Sequence, residues 1–197
     1  MSTDDDIRAF WEWFVAEHEW IAANPTADAV IEELDRRVSD LGCPAWEIGP
    51  GDQTDWFLAL SPDGDPDSLA LTRKIVHEAP RLPGWEFLPH RPPKKWELRF
   101  EIEGASGPIE VDARSWRFVA YRYPDGIYDV VVLVDEPSLA PPDRDLAVRI
   151  AVEGQLGEEA LLTAVNEVEA VVELSDAEIG RSQPLSALVA LPESPPT

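Results

Sequence analysis

The sequence predicts an α+β protein: a largely antiparallel mixed sheet with helices on one face, preceded by two N-terminal helices. Three observations support this class. Apolar residues recur at helical spacing through the first forty positions, strict alternation of apolar and charged residues dominates the middle, and further helical stretches fall between short strand-like runs. A chain of 197 residues can bury about 70% of its unfolded surface and lies within the size range of one domain. The expectation is therefore a single α+β domain over 1–180, followed by a Pro- and Ser-rich C-terminal tail over 181–197.

The first helix is placed after Asp4-Asp5-Asp6, carboxylates suited to unpaired amides and the positive end of a helix dipole. Phe10, Trp13, Phe14, Trp20 and Ile21 then fall near one face. Trp11 lies about 200° around the helix from Trp13, so not every tryptophan fits one stripe, and Trp11 becomes a candidate interface residue. A second helix follows Asn24-Pro25-Thr26, with Val30, Ile31, Leu34, Val38 and Leu41 in phase and Gly42 as its stop. Short strands are expected at 46–48 and 56–60. The turn Pro62-Asp63-Gly64 leads to a third helix capped by Asp65 with Pro66 at its first position, facing Leu69, Thr72 and Ile75 inward.

Trp85 and Phe87 open the middle strands. From 95 to 103 the even positions Trp96, Leu98, Phe100 and Ile102 are apolar and the odd ones are charged, which is a half-buried strand with one solvated face. Ile109 and Val111 continue after a turn at 104–107, and 116–123 pairs with 127–135 across Tyr123-Pro124-Asp125-Gly126. The run from Val130 to Val134 is apolar on both faces, as in a central strand. Residues 143–153 fit both periods and are assigned to a helix because Pro141-Pro142-Asp143 opens one. Val168, Ala170, Val172 and Leu174 alternate with glutamates as a last strand, and 185–191 is expected to pack. The order strand, strand, helix, strand thus occurs over 46–88 and again over 116–174.

Charge is unevenly distributed. The chain carries 16 basic and 39 acidic residues, a formal net charge of −23, which favours cationic partners and disfavours phosphate backbones and anionic membrane surfaces. Between Arg73 and Arg122 the balance reverses to +3, leaving −26 for the rest. Within that window His90, Arg91, Lys94, Lys95, Arg99, Arg117 and Arg122 are the candidate binding residues, an anion-binding face if their side chains converge. Glutamates interleaved with them would instead form cross-strand ion pairs worth roughly 0.2–1 kcal/mol each.

One cysteine, Cys43, precludes an internal disulfide. The acidic start is unlike a secretory signal, and no apolar run reaches the roughly 18 residues of a membrane span. These features predict a cytoplasmic protein. The Arg-rich, Lys-poor composition suits a high-GC bacterium or a halophile.

No catalytic constellation stands out. Asp63, Asp65 and Asp67 occupy the first ligand positions of a calcium loop, but Ser68 stands where glycine is needed and Lys74 where a bidentate glutamate is needed. Helix capping explains them better. The three histidines are scattered, and neither a nucleophile elbow nor a phosphate-cradling glycine loop is present. No cofactor, metal site or catalytic residue is expected.

The strings Phe10-Trp11-Glu12-Trp13-Phe14, Ala79-Pro80 with Leu82-Pro83-Gly84-Trp85 and Phe87, then Pro92-Pro93, and Leu156-Gly157-Glu158 resemble a family of uncharacterised stand-alone bacterial proteins. The resemblance implies a single α+β unit with a helix before Gly157, and no activity. Function is accordingly expected to be binding: an acidic protein-interaction module, inhibitor- or immunity-like, for a basic partner. The alternatives are a small-anion binder or enzyme with a pocket near His90 and Arg99, and a homodimer burying a surplus tryptophan.

Overall fold

The computed structural model describes residues 3–104, 107–136 and 139–191, and packing divides the chain into two compact units, Met1–Arg91 and Pro92–Thr197. Each has its own apolar core. The α+β class, the two N-terminal helices and the predominance of antiparallel pairing are as the sequence predicts, with the described strands distributed over three sheets.

In the first unit, α1 (Asp4–Ala23) begins with a capping box rather than with the aspartate run as cap. The Thr3 hydroxyl accepts the Asp6 amide at 3.2 Å, and the Asp6 carboxylate accepts the Thr3 amide at 2.7 Å. After α2 (Asp28–Asp40) come β1 (Ala45–Gly49), β2 (Trp56–Ser61), α3 (Pro66–His77) and β3 (Trp85–Leu88). Asp65 caps α3 as expected, receiving the amides of Asp67 and Ser68. β1 and β2 are antiparallel, and α3 carries the chain to β3, which lies parallel to β2. Strand parity sets Trp46, Leu58, Leu60, Trp85 and Phe87 on one face, in the core that takes Phe10 and Phe14 from α1 and Val30, Leu34 and Val38 from α2. The Phe14 ring meets Trp85 edge-on with centroids 4.9 Å apart, a geometry worth about 0.5–1.5 kcal/mol beyond its buried area.

The second unit opens with a two-stranded ribbon, β4 (Arg99–Gly104) and β5 (Gly107–Asp112). The strand expected from 95 starts only at Arg99, because Leu98 takes a positive φ of 55° and its carbonyl accepts the Ala113 amide at 2.9 Å. Ala105 and Ser106, in the expected turn, lie outside the described residues, as do 192–197 of the expected tail. β6 (Arg117–Arg122) and β7 (Tyr128–Leu133) form the predicted hairpin. Then follow α4 (Pro141–Leu156), α5 (Glu158–Ala164), β8 (Val165–Val171), α6 (Asp176–Ile179) and β9 (Gln183–Pro184). The sheet order is β8-β7-β6-β9, with β7 and β8 parallel, so β7 is the central strand its two apolar faces predict.

The ambiguous stretch is the helix α4: Ala147, Val148, Ala151 and Val152 are buried on one side while Leu146 is 42% exposed. A strand would have placed Leu146 and Val148 on the same face. Leu185 and Leu188 join the same core, so the segment after 181 packs as far as Leu191. Two of the distinctive strings meet here. Pro93 sits against Gly157, whose φ of 79° and ψ of 157° belong to glycine, and the Lys94 amide donates to the Gly154 carbonyl at 2.7 Å.

Both units share one connectivity: an antiparallel hairpin, a helical crossover, and a third strand parallel to the second. That is the repeated order read over 46–88 and 116–174. No described helix is long and apolar enough to cross a membrane.

Candidate functional site

The basic residues singled out by the sequence are engaged separately. Arg91 belongs to the first unit, where its guanidinium lies 3.8 Å from Glu47 and 3.5 Å from Asp63; the His90 Nδ1 lies 3.4 Å from the Arg91 carbonyl. In the second unit Arg99 and Arg114 both donate to Asp112, at 3.1 and 2.6 Å. The pair of guanidiniums, Arg114 foremost, holds that carboxyl far below the usual carboxylate range. Lys94 and Lys95 precede this ribbon, with the Lys94 ammonium 6.0 Å from the Trp96 ring centre. Arg117 donates to the Ser182 hydroxyl and carbonyl at 2.8 and 2.6 Å. Arg122, five residues along the same strand, projects from the opposite face and stands 6.0 Å over the Tyr128 ring. Arg117 and Arg122 therefore do not share an anion-binding face.

Trp11 is buried within its own unit. It is 4% exposed, packs 4.6 Å from Phe87, and donates its indole N–H to the Ile75 carbonyl at 2.9 Å. Trp20, at 41%, is the tryptophan that α1 leaves exposed. A recess of about 540 Å³ lies beside Ile7, Trp11 and Val15, but the cations at its rim are paired, Lys74 to Asp4 at 2.8 Å and Arg8 to Asp5 at 3.1 Å.

A surface of different character occupies the outer face of the β6-β7-β8 sheet, opposite α4. The strand registers stack three rows across it: Arg117, Leu133 and Val171; Val119, Val131 and Glu169; Tyr121, Asp129 and Glu167. Parity explains the arrangement, since the intervening residues Phe118, Val130, Val132 and Val168 turn to the core. The chain leaving β8 at one sheet edge must reach β9 at the other, and it does so over this face. Leu174 is buried, Glu178 accepts the Tyr121 hydroxyl, and the Arg181 guanidinium stacks 4.3 Å over the Tyr121 ring. Beside this crossing a groove of about 590 Å³ remains, with Val131, Val171 and Leu174 among its apolar lining and Asp129, Glu167, Glu169, Glu173 and Glu178 as its acids.

Two of these acids are committed within the fold. Asp129 accepts from the Tyr123 hydroxyl and from Asn166 at 2.9 Å, which together lower its pKa. Glu178 is held down to about 2 by the Ser175 and Tyr121 hydroxyls and the Ser175 amide. The phenols of Tyr121 and Tyr123 are pushed up in return, so they remain neutral donors. The carboxylates of Glu167, Glu169 and Glu173 make no hydrogen bond or salt bridge among the described residues. Three carboxylates without salt bridges thus border a groove of mixed polar and apolar lining, which also includes Arg122, a combination suited to cationic side chains on a partly apolar ligand. The sequence showed these glutamates as the solvated side of a strand. What it did not show is that β8 and the residues just after it bring them beside Val131 and Leu174, because strand neighbours and register are not encoded locally.

Compared with known proteins, the chain matches no family model, no curated protein and no solved structure. The second unit is thus characterised by its own features: a mixed four-stranded sheet with a helical layer on one face and an acid-rimmed groove on the other.

Proposed function

We propose that this protein is a non-catalytic acidic interaction module that binds a basic partner protein, in the manner of an inhibitor or immunity protein, through the outer face of β6, β7 and β8. The observation that carries the reading is the row of unpaired carboxylates, Glu167, Glu169 and Glu173, beside the apolar part of the groove formed by Val131, Val171 and Leu174. A net charge of −23 adds long-range attraction for a cationic protein, accelerating encounter most at low salt. The apolar lining supplies the area that charge alone cannot convert into a specific complex.

The test is quantitative mass spectrometry of proteins captured from the native host's lysate by three baits. These are the wild-type chain, the triple variant Glu167→Gln, Glu169→Gln, Glu173→Gln, and an unrelated protein of similar charge. The expected result is one basic partner held stoichiometrically by the wild type, released by salt, and lost with the triple variant. Equal capture by the triple variant would remove this face from the interaction. Capture no greater than by the control would overturn the interaction reading.

A further inference from the structure

The way the partner is held can be read from the backbone of β8, given the interaction reading above, on which this inference rests. We infer that a basic, extended segment of the partner adds to the sheet as a fifth strand along the outer edge of β8. β8 is terminal in the order β8-β7-β6-β9, with β7 on one side only. The Val134 amide donates to the Val171 carbonyl at 2.8 Å, which identifies Val171 as a residue whose backbone faces β7. Backbone direction alternates along a strand, so the N–H and C=O groups of Glu169 and Glu167 face β7 as well. Those of Val168 and Ala170 point to the open edge. Outside the ladder to β7, no backbone hydrogen bond reaches residues 166–170 among the described residues.

The side chains along this edge specify the occupant. Glu167 and Glu169 stand on the outer face at the edge itself, while Val168 and Ala170, half-buried against the core beneath, turn the other way. An added strand continues both layers. Positions level with the glutamates take lysine or arginine, and alternate positions extend the apolar layer formed by Val165, Val168 and Ala170. Self-association along the same edge is disfavoured, because antiparallel pairing of two copies about Val168 sets Glu167 of one opposite Glu169 of the other. Like charges directly opposite are destabilising, and charge on an edge strand is a recognised block to self-pairing. The edge therefore rejects a second copy and fits a cationic strand. Val172, 59% exposed immediately after β8, offers further apolar contact.

The probe is a capped synthetic peptide alternating lysine or arginine with valine, long enough to cover a strand of about six residues. It is titrated into the full-length protein alongside a scrambled peptide of equal composition and two versions N-methylated on alternate amides, one for each edge. Hydrogen exchange of the protein is followed in the free and bound states. The expected result is binding of the alternating peptide with slowed exchange at the Val168 and Ala170 amides. At least about tenfold weakening, an easily resolved 1.4 kcal/mol, is expected from scrambling and from one N-methylation pattern but not the other. Ala170→Pro removes an outward amide without breaking the β7 ladder and is expected to weaken the peptide similarly. If the peptides bind with salt sensitivity and dependence on Glu167, Glu169 and Glu173, but scrambling and both N-methylations change nothing, strand addition is overturned while the acidic-surface reading stands. Absence of binding by any peptide also overturns strand addition, and the lysate experiment then decides the reading on its own.

Discussion

Gly154, near the end of α4, sets two effects of opposite sign against each other. An alanine in a helix is worth up to about 1 kcal/mol over glycine, which by itself would stabilise the protein. A Cβ at this position, however, would stand 2.3 Å from Cζ2 of Trp96, 2.9 Å from Cε2 and 3.1 Å from Cη2, where carbon atoms prefer about 3.5–4.0 Å. The indole cannot simply withdraw. It packs on Phe100 with centroids 5.2 Å apart, and the preceding backbone is tied to α4 by the bond from Lys94 to Gly154. Overpacking of this kind costs about 1–3 kcal/mol, so Gly154→Ala should destabilise the wild type by up to about 2 kcal/mol after a helix gain of about 1 kcal/mol is subtracted. In a Trp96→Leu background the obstacle is gone and the same substitution should stabilise by up to about 1 kcal/mol. The helix gain cancels in the double-mutant cycle, so the coupling is the overpacking cost alone, about 1–3 kcal/mol. Equilibrium urea unfolding of the four proteins, followed by far-UV circular dichroism, measures it. An equal effect of Gly154→Ala in both backgrounds, or stabilisation of the wild type, would refute the argument.

Acid should weaken the protein through specific carboxylates. Glu33 is brought from 4.5 down to about 2, chiefly by the Arg36 hydrogen bond, with Arg37 at 2.6 Å as well. A depressed folded-state pKa gives stability that is complete above the unfolded value and disappears as pH falls through the folded one. Thermal midpoints of wild type and Glu33→Gln should therefore differ near neutral pH and converge between 4.5 and about 2; a gap that stays constant over that range would rule out the assignment. Cys43 is 3% exposed, and burial pushes its thiol up to about 11. At about pH 8 its reaction with a disulfide reagent should be slower in the folded protein than in denaturant by about two orders of magnitude, and comparable rates would show that the thiol is accessible.

Several elements were legible in the sequence because their causes are local. Asp65-Pro66 favours a helix start through its own side chain and fixed φ, Tyr123-Pro124-Asp125-Gly126 turns a hairpin, and the run at Val130 is apolar on both faces. The acidic surface was half legible: the alternation of Glu167 and Glu169 with Val168 and Ala170 revealed a solvated side and a buried one. The basic window misled on convergence, since parity sends Arg117 and Arg122 to opposite faces and Asp112 takes up Arg99 and Arg114. Strand ends also shifted, as at Leu98, where a positive φ overrides a perfect alternation.

Composition and periodicity therefore determined that this chain is an acidic α+β protein with two leading helices and a hairpin-helix-strand plan used twice. The tertiary structure decided that Trp11 lies in the interior and Trp20 outside, that Pro93 and Trp96 close upon Gly157 and Gly154, and that β8 ends its sheet. The physical reason is the range of the interactions. Caps, turns and amphipathic periods are settled within a few residues of chain, whereas strand order, edge exposure and the meeting of Glu169 with Val131 depend on pairings between distant segments, which compete globally for burial and hydrogen bonds.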